Sequence, residues 1–479
     1  MKNLYIILLS AFMLYFSGCA VGPDFERPEY AGTNEFRFDT VQAASDTLVN
    51  LKWWDLFSDP VLDTLIKHAL IENKDVMIAA ARIEAARANL GMTKAEQWPS
   101  LGYSATAGGG NFASGQRFNS TASMFNAYPE MYWEIGFWGK YRRMNESARA
   151  ELLASEYGMR TVQIGLISAV ASTYFSLLEF KEKLKISQQT YISRDSGMQI
   201  IKSRYDYGVV AEIDYNQSQI QTAISAGAVP AYQRAVAQTE NALSILLGKD
   251  ARAIITGKPL LQQELPPEIP SGLPSQLLRR RPDVLQAEAL YEAQNARIGV
   301  AQAMRWPSLN ITGLLGYATN DLLAFNAGGL AWAVAGSITG PIFQFGKNKR
   351  RVDIERHNTE AALHEYENVT LKAFKEVEDA LIAIKTLKME MQAVQVRNDA
   401  AVNAEMLSAQ RYDKGQTSYL EVLESQRQSF DAQLALAQTR TALLNAYIAL
   451  CKALGGGWLS PEEEQQAKDQ QAAEAQKKK

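Results

Sequence analysis

What this chain has little of narrows its function first. Its 479 residues contain two cysteines, Cys19 and Cys451, and three histidines, His68, His357 and His364. Cys19 falls at a processing site and Cys451 in an apolar helical run, so no disulfide framework is expected in the mature chain. His357 and His364 lie seven apart on one helical face, but no cysteine or carboxylate cluster completes a metal site, and no metal is expected. There is no glycine-rich phosphate loop and no nucleophile elbow, so neither a catalytic residue nor a cofactor is expected. Neither sign of charge is in excess: 49 basic residues face 52 acidic ones, net −3. That argues against nucleic acid as a partner. After residue 18 we find no run of about 18 apolar residues, so no transmembrane helix is expected.

Proline is also missing, over two long stretches, Gly139 to Gly208 and Gly346 to Gly415. Both are rich in helix formers. In the second, Val377, Ala380, Ile384, Leu387, Met391 and Val394 alternate steps of three and four, a coiled-coil seam. In the first, Leu166, Val170, Tyr174 and Leu177 repeat similarly. At 1.5 Å per residue each rod would reach roughly 100 Å.

The rods belong to an internal duplication. Trp98-Pro99-Ser100-Leu101 returns as Trp306-Pro307-Ser308-Leu309, and Gly139-Lys140 as Gly346-Lys347. Arg204-Tyr205-Asp206 with Gly208 returns as Arg411-Tyr412-Asp413 with Gly415, and Leu247-Gly248 as Leu454-Gly455. Chance matches would not keep one register over such a distance.

Between the helical segments the period changes to two. Leu309, Ile311, Leu315 and Tyr317 alternate with Ser308, Asn310, Thr312 and Gly316, and Trp332, Val334 and Ile338 alternate with small or polar residues. In the first half Leu101, Tyr103 and Ala105 oppose Gly102, Ser104 and Thr106, and Phe125, Met131, Trp133 and Ile135 oppose Asn126, Glu130, Tyr132 and Glu134. Such strands face two different solvents. Two hairpins in a soluble sandwich would fit the alternation; the Tyr and Trp near strand ends and a lipoprotein signal favour a lipid-facing barrel. Four strands cannot close a membrane barrel, which needs about eight or more, so a barrel must be shared among copies.

The predicted organisation is a signal peptide over 1–18, a lipidated N-terminal segment over 19–70, repeat 1 over 71–257, a proline-rich crossover over 258–282, repeat 2 over 283–457 and a disordered tail over 458–479. Repeat 1 reads as a helix over 71–97, a hairpin at 101–137, a long helix at 139–207 and a helix at 212–247. Repeat 2 reads as a helix, a hairpin at 308–345, a long helix at 347–414 and a helix at 418–454. Pro230 should kink or break the 212–247 helix. Trp53-Trp54 reads as a packing anchor. Lys2, the apolar run to Phe16 and Ser17-Gly18-Cys19 read as a lipoprotein signal with Cys19 as the lipidated N-terminus. Ala20 rather than aspartate follows it, an outer-membrane address by the sorting pattern known for many bacteria.

Cys19 followed by Val21-Gly22-Pro23-Asp24-Phe25, the Trp53-Trp54 and Asp59-Pro60 segment, Arg280-Arg281-Pro282-Asp283-Val284, and Ala453-Leu454-Gly455-Gly456-Gly457-Trp458 resemble the lipoprotein branch of the TolC/OprM-type outer-membrane efflux proteins. The resemblance implies a mixed α and transmembrane-β fold: a homotrimer with a shared twelve-stranded barrel and a periplasmic helical tunnel. It implies docking to a membrane-fusion adaptor and an inner-membrane pump of the resistance-nodulation-division type, and passive export. The tunnel's far end would be the turns at Arg204 to Asp214 and Arg411 to Glu424. There Glu421 and Glu424 share a helical face and could form stacked acidic rings. The family resemblance adds Tyr412 and Asp214 to the gate; the family prototype's arginine is Thr417 here, so its ionic latch is not expected. Gly208 and Gly415, with Tyr205, Asp206 and Asp413, resemble adaptor-docking tips. Protein secretion, a lipid-anchored coiled-coil scaffold without a pore, and an enzyme stand as alternatives.

Overall fold

The structure is a computed structural model describing residues 20–28, 36–38, 53–110, 122–267, 280–319 and 329–456. The signal peptide, Cys19, most of both loops between paired strands, part of the crossover and the tail from 457 lie outside the described residues. In chain order the elements are α1 (Pro60–Glu72), α2 (Lys74–Ala95), β1 (Ser100–Gly110), β2 (Ala122–Ile135), α3 (Lys140–Asp206), α4 (Glu212–Leu246), α5 (Pro282–Ala303), β3 (Ser308–Thr319), β4 (Gly329–Thr339), α6 (Lys347–Asp413) and α7 (Tyr419–Ala453). Both α3 and α6 have 67 residues, and α4 and α7 both have 35.

The chain divides into two compact units. One comprises Met1–Glu29, Ala81–Tyr157 and Gln286–Asn368. It holds an antiparallel sheet of order β1-β2-β3-β4. Its register aligns the two faces across all four strands: Leu101 pairs with Met131, Trp133 with Ile311, and Leu309 with Ile338. The opposite face is polar. Tyr132 Oη donates to Asn310 Oδ1 at 3.0 Å, and Asn310 Nδ2 donates to Thr339 Oγ1 at 3.0 Å. The apolar face is uncovered by the described residues; Tyr103 is 89% and Trp332 72% exposed. Both outer strands, β1 and β4, have one unpaired edge.

The same unit seats the N-terminal segment. Val21 N donates to the Trp138 carbonyl at 3.2 Å, just beyond β2. Arg143, 5% exposed, donates to the Val21 and Gly22 carbonyls and to Asp24. Gly22 has φ +114° and lies so close to Gly299 that an added Cβ would sit 2.5 Å from its Cα.

The second unit comprises Tyr30–Ala80, Gly158–Leu285 and Val369–Lys479. Its core joins Trp53, Phe57, Leu62 and Ile66 to Val170, Tyr174 and Phe175 of α3 and Leu444 and Ile448 of α7. Trp53 and Trp54 are buried edge to face at 5.9 Å, the packing role expected of them. Ile384, Leu387 and Met391 of the α6 seam pack against this cluster. Cys451 is buried here and its thiol is pushed up to about 12 by desolvation.

Asp59 organises the entrance to α1. Its Oδ1 accepts from the amides of Val61 and Leu62, an N-cap ahead of Pro60 at the first helical position. Its Oδ2 accepts from Tyr174 Oη at 2.7 Å and Gln263 Nε2 at 2.9 Å. Tyr174 Oη in turn accepts from Gly257 N at 3.0 Å.

Three expectations need correction. The helix expected over 71–97 begins only at Lys74, because Asn73 ends α1 and caps α2: its Oδ1 accepts from Asp75 N and Val76 N, and its own backbone is extended. Pro230 sits inside an unbroken α4. A proline inside a helix costs about 3 kcal/mol; here it does not break α4, which buries Ser218, Thr222 and Ser225 before it and Leu243 and Ser244 after it. Finally, α3 contains a stretch that is long and apolar enough, by composition alone, to cross a membrane, where none was expected. That stretch is 56% buried within the chain. Fully buried Val170, Tyr174 and Phe175 give the reason: its apolarity serves the core.

Candidate functional site

All four helices α3, α4, α6 and α7 end in a glycine with positive φ: Gly208 (+70°), Gly248 (+67°), Gly415 (+71°) and Gly455 (+68°). At each the two closing hydrogen bonds are those of a Schellman motif. Gly208 N donates to Tyr205 O and Val209 N to Arg204 O; Gly415 N donates to Tyr412 O and Gln416 N to Arg411 O. Only glycine adopts this conformation without a penalty of about 1–2 kcal/mol.

The four caps differ in surroundings. A Cβ on Gly248 would strike the Glu72 carbonyl at 2.3 Å, and one on Gly455 would meet Arg281 at 3.0 Å. A Cβ added at Gly208 or Gly415 would meet no other part of the described residues within 4 Å. These two turns are therefore free ends. Tyr207, Val209 and Ile213 at the first, and Leu420 at the second, are exposed apolar side chains.

The structure brings both turns together. Arg204 Nη1 donates to Tyr412 Oη at 2.9 Å, and the guanidinium lies 5.3 Å from the centre of that ring. Tyr205 stacks on Tyr215 at 5.6 Å with planes 11° apart. Tyr412 packs on Tyr419 at 5.3 Å. The Tyr419 phenol is pushed up to about 12 by burial, with Tyr412 and Asp214 adding to the effect. Asp214 thus sits within electrostatic reach of the Tyr412–Tyr419 pair. Asp206 and Asp413 are the last residues of α3 and α6.

The two glutamates are not bare. Glu421 accepts from Arg411 at 3.1 Å and from the Thr417 hydroxyl. Thr417 thus anchors the same carboxylate as Arg411. Glu424 accepts from Arg427 at 2.6 Å and from Gln428 at 2.8 Å. The Arg427 and Gln428 hydrogen bonds hold the Glu424 carboxyl down to about 2. Each acid is about half exposed and carries a cation of its own chain.

Sequence reading missed Arg204, Arg411, Tyr419 and Arg427. The repeat pairing Arg204 with Arg411 carried a signal: one arginine at each turn. Deeper in the same unit Arg194 of α3, 4% exposed, donates to the Gln221 carbonyl of α4 and the Gln426 carbonyl of α7. Burial lowers its guanidinium pKa. No local pattern marks it.

A hairpin with one apolar and one polar face, written twice into the chain with long capped helices, points to an outer-membrane conduit. The profile of the family described as Outer membrane efflux protein matches residues 65–249 and 273–456, once per half. The toluene efflux pump outer membrane protein TtgC of Pseudomonas putida is 32% identical over 490 residues, covering 99% of each chain. The cation efflux system protein CusC of Escherichia coli is 32% identical over 453 residues, covering 93% of this chain and 97% of that protein. The crystal structure of the Campylobacter jejuni CmeC outer membrane channel superposes with a TM-score of 0.87 at 26% identity, over 94% of this chain and 98% of the other. The chain belongs to the outer membrane efflux protein family. It is an outer-membrane efflux channel with the mixed helical and transmembrane-β fold of that family. The family is one of conduits rather than enzymes.

Proposed function

We propose that three copies close a twelve-stranded barrel and a periplasmic tunnel, through which drugs and other small molecules leave passively. The carrying observation is the sheet: four strands with two unpaired edges and one continuous apolar face. In lipid an unpaired edge is untenable, so edges must pair between copies. Relatives named as toluene and cation efflux components favour small solutes over protein secretion. Energy then comes from partners, a periplasmic membrane-fusion adaptor and an inner-membrane pump of the resistance-nodulation-division type. The adaptor would meet the open turns at Gly208 and Gly415, with Tyr205, Asp206 and Asp413 beside them. Lipidation of Cys19 would anchor the chain; in support, the residues that follow it are held at Trp138, just beyond the end of β2.

Glu421 and Glu424 from three copies would line the entrance, with Tyr412 and Asp214 behind them. Replacing both glutamates by Gln should lower cation selectivity in a planar bilayer. Because Arg427 and Gln428 hold the Glu424 carboxyl down to about 2, its charge persists through the ordinary carboxylate range and is lost only as pH falls through about 2. Selectivity should therefore survive at about pH 4, within the usual carboxylate range. Unchanged selectivity in the double variant would remove the acidic entrance.

Gly208→Val or Gly415→Val should abolish drug resistance in cells while trimers persist on native gels. The left-handed backbone strains an ordinary residue by about 1–2 kcal/mol and a β-branched one by more, so the native gel is the control for folding. Loss of trimers would reduce these glycines to folding elements.

A further inference from the structure

A cavity at the bases of the two hairpins belongs to neither the proposed entrance nor the open turns. Its volume is about 310 Å³, at the lower end of the range for ligand pockets. Ser308 and Thr339, paired across β3 and β4, line it, so it adjoins the polar face of the sheet. Trp138 and Trp306 line it too, stacked with centroids 4.9 Å apart and planes 25° apart. Trp138 Nε1 donates to the Pro307 carbonyl at 2.8 Å, which fixes the indole in advance of any ligand. Trp306 remains 50% exposed. A fixed indole pair, half open to solvent, is a surface on which a flat ring can pack.

Four charged residues line the same cavity: Glu134, Lys140, Lys347 and Arg351. The first two satisfy each other. Glu134 accepts from Lys140 at 2.9 Å, and from Tyr141 at 3.1 Å. Lys347 and Arg351, one helical turn apart on α6, form no salt bridge among the described residues; Arg351 reaches Met304 Sδ and Asn348 Oδ1. The duplication gives the reason for the surplus. In the register that aligns Gly139-Lys140 with Gly346-Lys347, Pro341 stands where the first repeat has Glu134, and Arg351 where it has Met144. The second repeat thus lacks the carboxylate that neutralises the lysine of the first and carries a second cation. The first turn of α6 contains no acidic residue, so its N-terminal amides add to the positive potential.

We propose that this cavity is a subsite for small aromatic carboxylates on the solute path. It rests on the proposed barrel, which makes the polar sheet face the lumen. Lys347 and Arg351 pair with the carboxylate, the guanidinium offering a two-pronged contact. Trp138 and Trp306 pack against the ring. An inorganic anion would leave the indoles uncovered, and a neutral ring would leave two cations unpaired; an aromatic carboxylate satisfies both.

The test is equilibrium dialysis of the full-length protein in detergent against naphthoate, with protein-free micelles as the blank. Naphthalenemethanol and inorganic phosphate serve as the uncharged and the ringless probe. Wild type should bind naphthoate more tightly than either. Lys347→Gln/Arg351→Gln should weaken naphthoate by about tenfold, the strength of one charge-assisted hydrogen bond, and leave naphthalenemethanol unchanged. Trp306→Leu should weaken naphthoate and not phosphate. Lys347→Arg/Arg351→Lys should keep the affinity. So should Lys349→Gln/Arg350→Gln, which removes two neighbouring cations that do not line the cavity. Equal naphthoate binding by wild type and Lys347→Gln/Arg351→Gln overturns the site. So does phosphate that binds as tightly as naphthoate, or an equal loss in Lys349→Gln/Arg350→Gln, since a diffuse positive field would then suffice. Planar-bilayer recording of the same preparation separates this site from the conduit itself. A conducting channel that binds no naphthoate overturns the site alone; naphthoate binding by a protein that does not conduct supports the site and overturns the conduit.

Discussion

Replacing Asp59 by Ala should destabilise the protein by about 3–5 kcal/mol, the sum of a lost helix cap and two orphaned buried donors. Asp59 is 4% exposed and its carboxylate accepts from two α1 amides, the Tyr174 phenol and the Gln263 amide. Removing it leaves Tyr174 with a hydroxyl that burial, and then the adjacent carboxylate, push above its ordinary pKa. That hydroxyl stays protonated and would face no acceptor. Asp59→Asn keeps the cap and the shape, so its loss should be smaller. The measurement is the denaturant midpoint of the detergent-solubilised protein. A loss in Asp59→Ala below about 1 kcal/mol would mean that water or a repacked neighbour replaces the carboxylate. The effect is large because one residue joins α1, α3 and the crossover.

The second large effect is on conduction. Arg204→Ala and Tyr412→Phe should each shift the entrance towards its open form. Each removes the 2.9 Å bond that ties the first turn to the second within one chain. One such bond is worth about 1 kcal/mol net, and three symmetric copies about 3 kcal/mol, or roughly a hundredfold in an open–closed equilibrium. Single-channel recording in a planar bilayer reads this directly. The phenylalanine variant keeps the ring that packs on Tyr419, so it isolates the hydroxyl. If both variants conduct as the wild type does, the Arg204–Tyr412 pair is only a local brace. The proposed gate would then rest on other residues.

The proposed acidic entrance illustrates how tertiary contacts alter a motif. Glu421 and Glu424 stand three apart in the sequence and read as a bare acidic pair. In the fold Arg411 reaches Glu421 from across the turn, and Arg427 reaches Glu424 from the next helical turn. The local field is therefore a set of ion pairs, and in the proposed entrance cation selectivity would depend on how far each guanidinium is drawn away. Arg427 was legible as an i, i+3 partner. Arg411 was not, because its approach depends on the Schellman turn that folds α6 back onto α7.

The sequence by itself determined the elements that depend on local periodicity. Heptad steps specify the rods, alternation specifies two-faced strands, and glycines at repeated positions specify where the helices stop; each of these is set by neighbours a few residues away. Only the tertiary structure decided that Asn73 divides the first helical segment, that α4 runs through Pro230, and that the apolar stretch of α3 is core. It alone showed that Asp59, Tyr174, Gly257 and Gln263 meet, and that Arg194 bonds carbonyls on two other helices. Those outcomes depend on which distant side chains share a buried volume, where an unmade hydrogen bond is costly and a made one holds. Periodicity encodes the face a residue presents and is silent on the partner it meets there.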